Sequence, residues 1–211
     1  MVKPLVAAIA AWLTLGVTAA AYAEAPALDA LLKDVDAAKA SVTTLSGEFT
    51  QKNRVKLFKQ ELIAKGKLYF RQPRQIRWEY TTPDPSTLIL DGNRATLTSP
   101  GAAPQVFDLA KDATMRAIFD QLLVWLGSGS LAQARVDYDI ASGGTTAAPT
   151  LLLTPKAASA VARAFTRVEL RLDGKTHLLR AIALVEPNGD EKEIVFTKLT
   201  KNAALPENAF R

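Results

Sequence analysis

The side chains able to do chemistry are few and scattered in this 211-residue chain, which has one histidine, His177, and no cysteine. Thiol nucleophiles, thiolate metal sites and redox pairs are thereby excluded. A lone imidazole, with no histidine or cysteine at ligand spacing, makes neither a metal site nor a proton relay. His177 falls in an expected strand after an Asp173-Gly174 turn. Asp137 and Asp139 share one face of another expected strand. They have the spacing of a carboxylate pair for acid–base work, and equally that of two solvated charges. HExxH, GxSxG and phosphate-loop patterns do not occur. Gly127-Ser128-Gly129-Ser130 lacks the lysine a phosphate loop needs and follows an expected helix, where a cap and turn belong. Arg71, Arg74 and Arg77 surround Pro73, offering guanidinium groups to a headgroup or partner, or forming a solvated rim. This set yields no catalytic residue, no metal and no cofactor, so the chain reads as a non-enzyme.

Apolar surface is what the sequence has in abundance. Lys3 precedes an apolar run from Leu5 to Ala21, and Ala21-Tyr22-Ala23 places small residues where signal peptidase reads them. Residues 1–23 are expected to be a cleavable signal, with residues 24–211 forming one exported domain. The formal net charge of the whole chain is +5. Its basic residues are mostly spread along strands among apolar ones, so an exported chain of this pattern is not expected to bind nucleic acid. Leu28, Leu31, Leu32, Val35 and Val42 make one helical stripe, and Asp29, Lys33, Asp34 and Lys39 take the other side.

From Ser46 the period changes to two, with Phe49 set among polar neighbours. Leu62, Ala64, Gly66, Leu68 and Phe70 alternate with mostly charged residues, and after Pro73 come Ile76, Trp78 and Tyr80. Such alternation marks antiparallel strands with one face toward a core. Asp91-Gly92-Asn93, Asp173-Gly174 and Pro187-Asn188-Gly189-Asp190 read as hairpin turns. A lone helix interrupts the strands, with Met115, Ile118, Phe119, Leu122 and Leu126 on its stripe and Trp125 on the shoulder. Strands are then expected over 136–141, 150–154, 165–172, 176–186 and 191–199, about eleven in all with the earlier ones. Periodicity leaves open a closed barrel, a sandwich or a curved sheet capped by helices.

Leu45-Ser46-Gly47-Glu48-Phe49-Thr50-Gln51-Lys52 resembles the first strand of the LolA family of periplasmic lipoprotein carriers. Lys65-Gly66-Lys67-Leu68-Tyr69-Phe70, Pro73, Arg77-Trp78-Glu79-Tyr80, Pro83, Pro85 and Asp91-Gly92 follow in the family's order. Leu152-Leu153-Thr154-Pro155-Lys156 and the Asp173-Gly174 hairpin extend the likeness over the exported chain. The resemblance implies a mainly β fold with α: an unclosed antiparallel barrel capped by helices, whose apolar cavity takes acyl chains. Phe49, Leu68, Phe70, Ile76, Trp78 and Tyr80 are then the expected lining, and Met115 to Leu126 the expected lid. It further implies a monomeric periplasmic carrier of acylated lipoproteins, loaded by an inner-membrane ATP-driven exporter and unloaded by an outer-membrane receptor. Another lipid or acylated metabolite suits the same fold, and so does an interaction module. In the family an arginine directly before the proline of the Trp strand holds the lid. Here that position is Gln72, with Arg71 one step earlier; both are candidate lid contacts.

Overall fold

The computed structural model describes residues 26–57 and 60–211. The expected signal segment and its cleavage point lie outside these residues. One helix, α1 (Leu28–Ala40), precedes six strands: β1 (Thr44–Val55), β2 (Gln60–Arg71), β3 (Gln75–Thr82), β4 (Ser86–Asp91), β5 (Arg94–Thr98) and β6 (Gln105–Asp108). Helix α2 (Ala113–Leu126) follows, then β7 (Tyr138–Thr145), β8 (Ala148–Pro155), β9 (Arg167–Leu172), β10 (Leu179–Val185) and β11 (Glu191–Lys201).

All eleven strands form a single antiparallel sheet in the order β6-β5-β4-β3-β2-β1-β11-β10-β9-β8-β7. Two meanders thus meet at the β1–β11 pair. The outer edges, β6 and β7, are neighbours in sequence but not in the sheet. The segment between them contains α2, so the chain must travel from one edge of the open sheet to the other. That topology leaves the barrel unclosed and puts α2 in the connection between its two edges. Register breaks at Ser46/Glu48, Lys65/Gly66 and Leu179/Ala181 supply the local bending that a curved sheet needs.

The inner face carries the core. Phe49, Leu68, Phe70, Ile76, Trp78 and Leu90 come from the first meander, and Leu151, Leu153, Val168, Leu170 and Ile182 from the second; all are buried. Gly66 lies opposite Phe49, and a Cβ there would fall 2.4 Å from the Phe49 ring. The glycine is therefore what lets that ring lie flat across β2. Gly92, at φ 58°, makes the β4–β5 turn that its sequence announces.

Several expectations need correction. Lys39 lies not on the exposed side of α1 but buried at 3 % exposure, because its ammonium reaches the Gly129 carbonyl at 3.1 Å and Asp36 at 3.5 Å. Val42 is buried as expected, but beyond the end of the helix. Residues 133–136 form a turn of 3-10 helix and leave Val136 exposed, so the strand begins at Tyr138. Asp137 accordingly shares no strand face with Asp139; it accepts the Ser159 hydroxyl at 2.8 Å. His177 sits at φ 53° in the turn before β10, its amide donating to the Asp173 carbonyl. Around His177 the cause is local: the Asp173 carboxylate accepts the Lys175 and Thr176 amides at 3.0 and 2.9 Å and holds the turn out of the sheet.

Candidate functional site

The site is built from two apolar surfaces, the inner face of β1–β3 with β11 and the buried face of α2. Alternation puts Leu68 and Phe70 on β2 beside Trp78 and Ile76 on β3, as register partners. Phe49 packs against Trp78 with ring centroids 4.7 Å apart, and edge-on against Tyr80 at 5.3 Å. Trp78 also meets Phe196 of β11 edge-on at 6.0 Å. The six expected lining residues therefore come together on one continuous surface. Phe196 was missed, although it stands directly opposite Phe49; its alternation in β11 was the available signal. Polarity enters this wall at one place. The Tyr80 hydroxyl donates to Gln51 Oε1 at 2.8 Å, and Gln51 donates onward to Asn53 Oδ1 at 2.8 Å. Burial pushes the Tyr80 phenol above its ordinary range, against the pull of Trp78 and Gln51 beside it.

Helix α2 starts on Asp112, whose carboxylate accepts the Met115 amide at 2.9 Å, satisfying one of the helix's free donors. Phe119, Leu123, Trp125 and Leu126 are its buried residues of large apolar type. Met115 and Leu122 are only partly buried, as is Ile118. The helix is thus turned from the expected stripe toward Leu123 and Trp125, because residues 119, 123 and 126 make the row that meets the sheet. Among the described residues, the space where α1, α2 and the sheet meet holds about 10 Å³, no more than a water molecule requires. A larger surface hollow, about 250 Å³, is walled by Lys52, Arg54, Glu61, Arg171, Lys192 and Glu193 among others. Its charges are largely paired with one another, so it offers no apolar seat.

The profile of the family described as outer membrane lipoprotein carrier protein LolA matches residues 40–211, from the end of α1 through all eleven strands. The chain belongs to the LolA family. It is 30% identical to an outer-membrane lipoprotein carrier protein of Chromobacterium violaceum over 196 residues, 92% of this chain and 89% of that one. Among solved structures, MucB superposes with a TM-score of 0.51 at 17% identity, over 87% of this chain and 62% of MucB. The chain therefore spans about three-fifths of MucB. The Mycobacterium tuberculosis lipoprotein LppX gives a TM-score of 0.50 at 12% identity, covering 85% of this chain and 100% of LppX. At such identities both likenesses concern the fold alone.

In this LolA-family chain the polar contacts of α2 cluster at the start of β3. Gln72 Nε2 donates to the Gly127 carbonyl at 3.1 Å, and the Ser128 hydroxyl donates to the Pro73 carbonyl at 2.6 Å. Arg74 pairs with Asp120 in mid-helix at 2.8 Å and donates to the Gly92 carbonyl at 3.2 Å. Arg71 faces the opposite side of β2, its guanidinium 4.7 Å from the Phe210 ring. Arg77 pairs with Glu79 at 2.9 Å. Of the two candidate lid contacts, Gln72 touches the helix end and Arg71 does not. The charged contact to the helix comes instead from Arg74, which sequence reading left in an undivided arginine group.

Proposed function

We propose that this protein is a periplasmic carrier that shelters the acyl chains of lipoproteins between its sheet and α2. It would receive them from an exporter in the inner membrane and deliver them to a receptor in the outer membrane. The observation that carries the reading is the pairing of a broad aromatic and aliphatic sheet face with a separate, polar-latched helix, in a chain of this family. Phe119, Leu123 and Leu126 are themselves buried, so cargo would displace them rather than add to their contacts. Exchange of one apolar surface for another keeps the free-energy change small. That matters because each methylene moved from water to an apolar site gains about 0.8 kcal/mol. Tens of methylenes counted against water would exceed the ceiling of roughly −20 kcal/mol for noncovalent binding, and release would stop. Transfer between membrane, carrier and receptor runs instead on small differences, which a movable helix can supply. No energy source is needed in the carrier itself. Hydrogen exchange with and without a diacylated peptide tests the role of α2. Amides of Ala113–Leu126 should exchange faster in the loaded protein while those of β1–β3 stay protected. Binding with unchanged exchange in α2 would remove the lid from the account.

A further inference from the structure

Among the described residues, four interior side-chain atoms have no hydrogen-bond partner: Trp78 Nε1, Trp125 Nε1, Tyr138 Oη and Gln121 Oε1. Each belongs to a residue more than nine-tenths buried. Trp78 lies on the inner face between Leu68 and Leu88, its register partners. Its indole N–H approaches the Tyr80 hydroxyl without reaching hydrogen-bond geometry; that hydroxyl gives its hydrogen to Gln51 and keeps its lone pairs. Trp125 and Gln121 stand four residues apart on α2, hence on one side of it. Tyr138 opens β7, beside the edge where the chain from α2 rejoins the sheet.

Phenylalanine or leucine would fill such positions without burying an unpaired polar atom, which costs free energy. Buried Trp and Tyr ordinarily find a partner for their polar end. At Trp125, which lines the hollow of about 10 Å³, water is a poor candidate, since a buried water wants two to four polar neighbours as well as that room. Three of the four atoms can donate, and an indole N–H can do nothing else. We propose that Trp78 Nε1, Trp125 Nε1 and Tyr138 Oη are seats for the ester and amide carbonyls that join acyl chains to their head, with Gln121 Oε1 available to an amide N–H. The proposal rests on the carrier reading and adds what the cavity recognises: the root of the chain as well as its length. A carbonyl is the polar group that an otherwise apolar cargo brings inside, and it accepts without donating.

The test compares a diacylglyceryl-cysteine peptide, whose chains are ester-linked, with its ether-linked dialkyl counterpart of equal chain length. Wild type should bind the ester form about five- to ten-fold tighter, the effect of roughly one hydrogen bond. In Tyr138→Phe that ratio should shrink toward one, while affinity for the ether form is kept. Tyr138→Phe should also unfold at the same temperature as wild type or higher, since it removes an unpaired hydroxyl. The same pair of measurements with an ester- and an ether-linked phospholipid separates the sources. A preference confined to the peptides assigns the seats to lipoprotein, and one shared by both pairs assigns them to any ester-linked lipid. Equal affinity for ester and ether peptides in wild type overturns the seats and leaves the carrier standing. So does an equal loss of both affinities in Tyr138→Phe. Failure of wild type to bind either peptide overturns the carrier and the seats together.

Discussion

Lys39 shows how a single charged side chain can tie two helices together at a cost. Burial pushes its ammonium down to about 8, against the opposing pull of Asp36. Asp36 is itself buried enough to be pushed up, yet ends below the usual carboxylate range because Ser130, the Leu131 amide and Lys39 outweigh that push. The pair joins α1 to the segment just after α2. Folded Lys39 loses its proton near pH 8, and in the unfolded chain it keeps it to about 10.5. Between those values the unfolded chain holds more protons, so raising the pH favours the folded state. Relative to Lys39→Met, wild type should gain about 1 kcal/mol of stability per pH unit between about 8 and 10. Urea denaturation of both proteins at several pH values reads this, and parallel curves would place the ammonium in water. Gln72 is the second residue whose identity matters. A neutral amide bond to a carbonyl contributes about 1 kcal/mol, and a charge-assisted one roughly 1.5 to 3. Gln72→Arg should therefore close α2 more tightly, lowering apolar-dye binding by the empty protein about five-fold and slowing cargo uptake. Unaltered dye binding and uptake would mean that the Gly127 contact does not set the balance.

At the scale of elements, α2 is joined to the sheet by polar contacts at its middle and end, and by Phe119, Leu123, Trp125 and Leu126 along its length. The Arg74–Asp120 pair leaves its two side chains 33% and 41% exposed, so its worth is about 1 kcal/mol or less. Asp120→Arg sets two like charges together and should raise apolar-dye binding about two- to five-fold. Exchanging the pair, Arg74→Asp with Asp120→Arg, should bring it back. A swap that fails to restore the wild-type value would show that the ion pair is incidental to closure. These elements were partly legible in the sequence. The strands were readable because Leu68, Phe70, Ile76, Trp78 and Tyr80 alternate strictly, and α2 because Asp112 and Gly127 bracket an apolar row. The tilt of α2 toward Leu123 was not: the expected stripe of residues 115, 118, 119, 122 and 126 shares Phe119 and Leu126 with the buried row of 119, 123 and 126, and both repeat at helical spacing. Only the shape of the opposing sheet chooses between the two rows. The burial of Lys39 was equally hidden, because its acceptor, Gly129, lies 90 residues away.

The whole molecule is an eleven-stranded sheet whose two edges are left unpaired with each other and bridged by the helix that covers its inner face. A closed barrel would fix the volume inside, and a two-sheet sandwich would fill it permanently. If α2 detaches as proposed, an open sheet leaves the interior adjustable, packed when empty and wider when occupied. That adjustability suits cargo of several chains, and periodicity alone gave no hint of it; the order of the strands did. Among the described residues no helix is long and apolar enough to cross a membrane. The account stands or falls on what occupies the inner face in the cell. Expression of the full 211-residue chain, gentle periplasmic purification and mass spectrometry of the intact protein under native conditions measure that directly. The account predicts a population carrying one acylated lipoprotein per chain, with the lipoprotein lost when its acyl chains are removed before binding. A protein that emerges uniformly empty, and stays empty when mixed with acylated lipoprotein in detergent that is then removed, would contradict it.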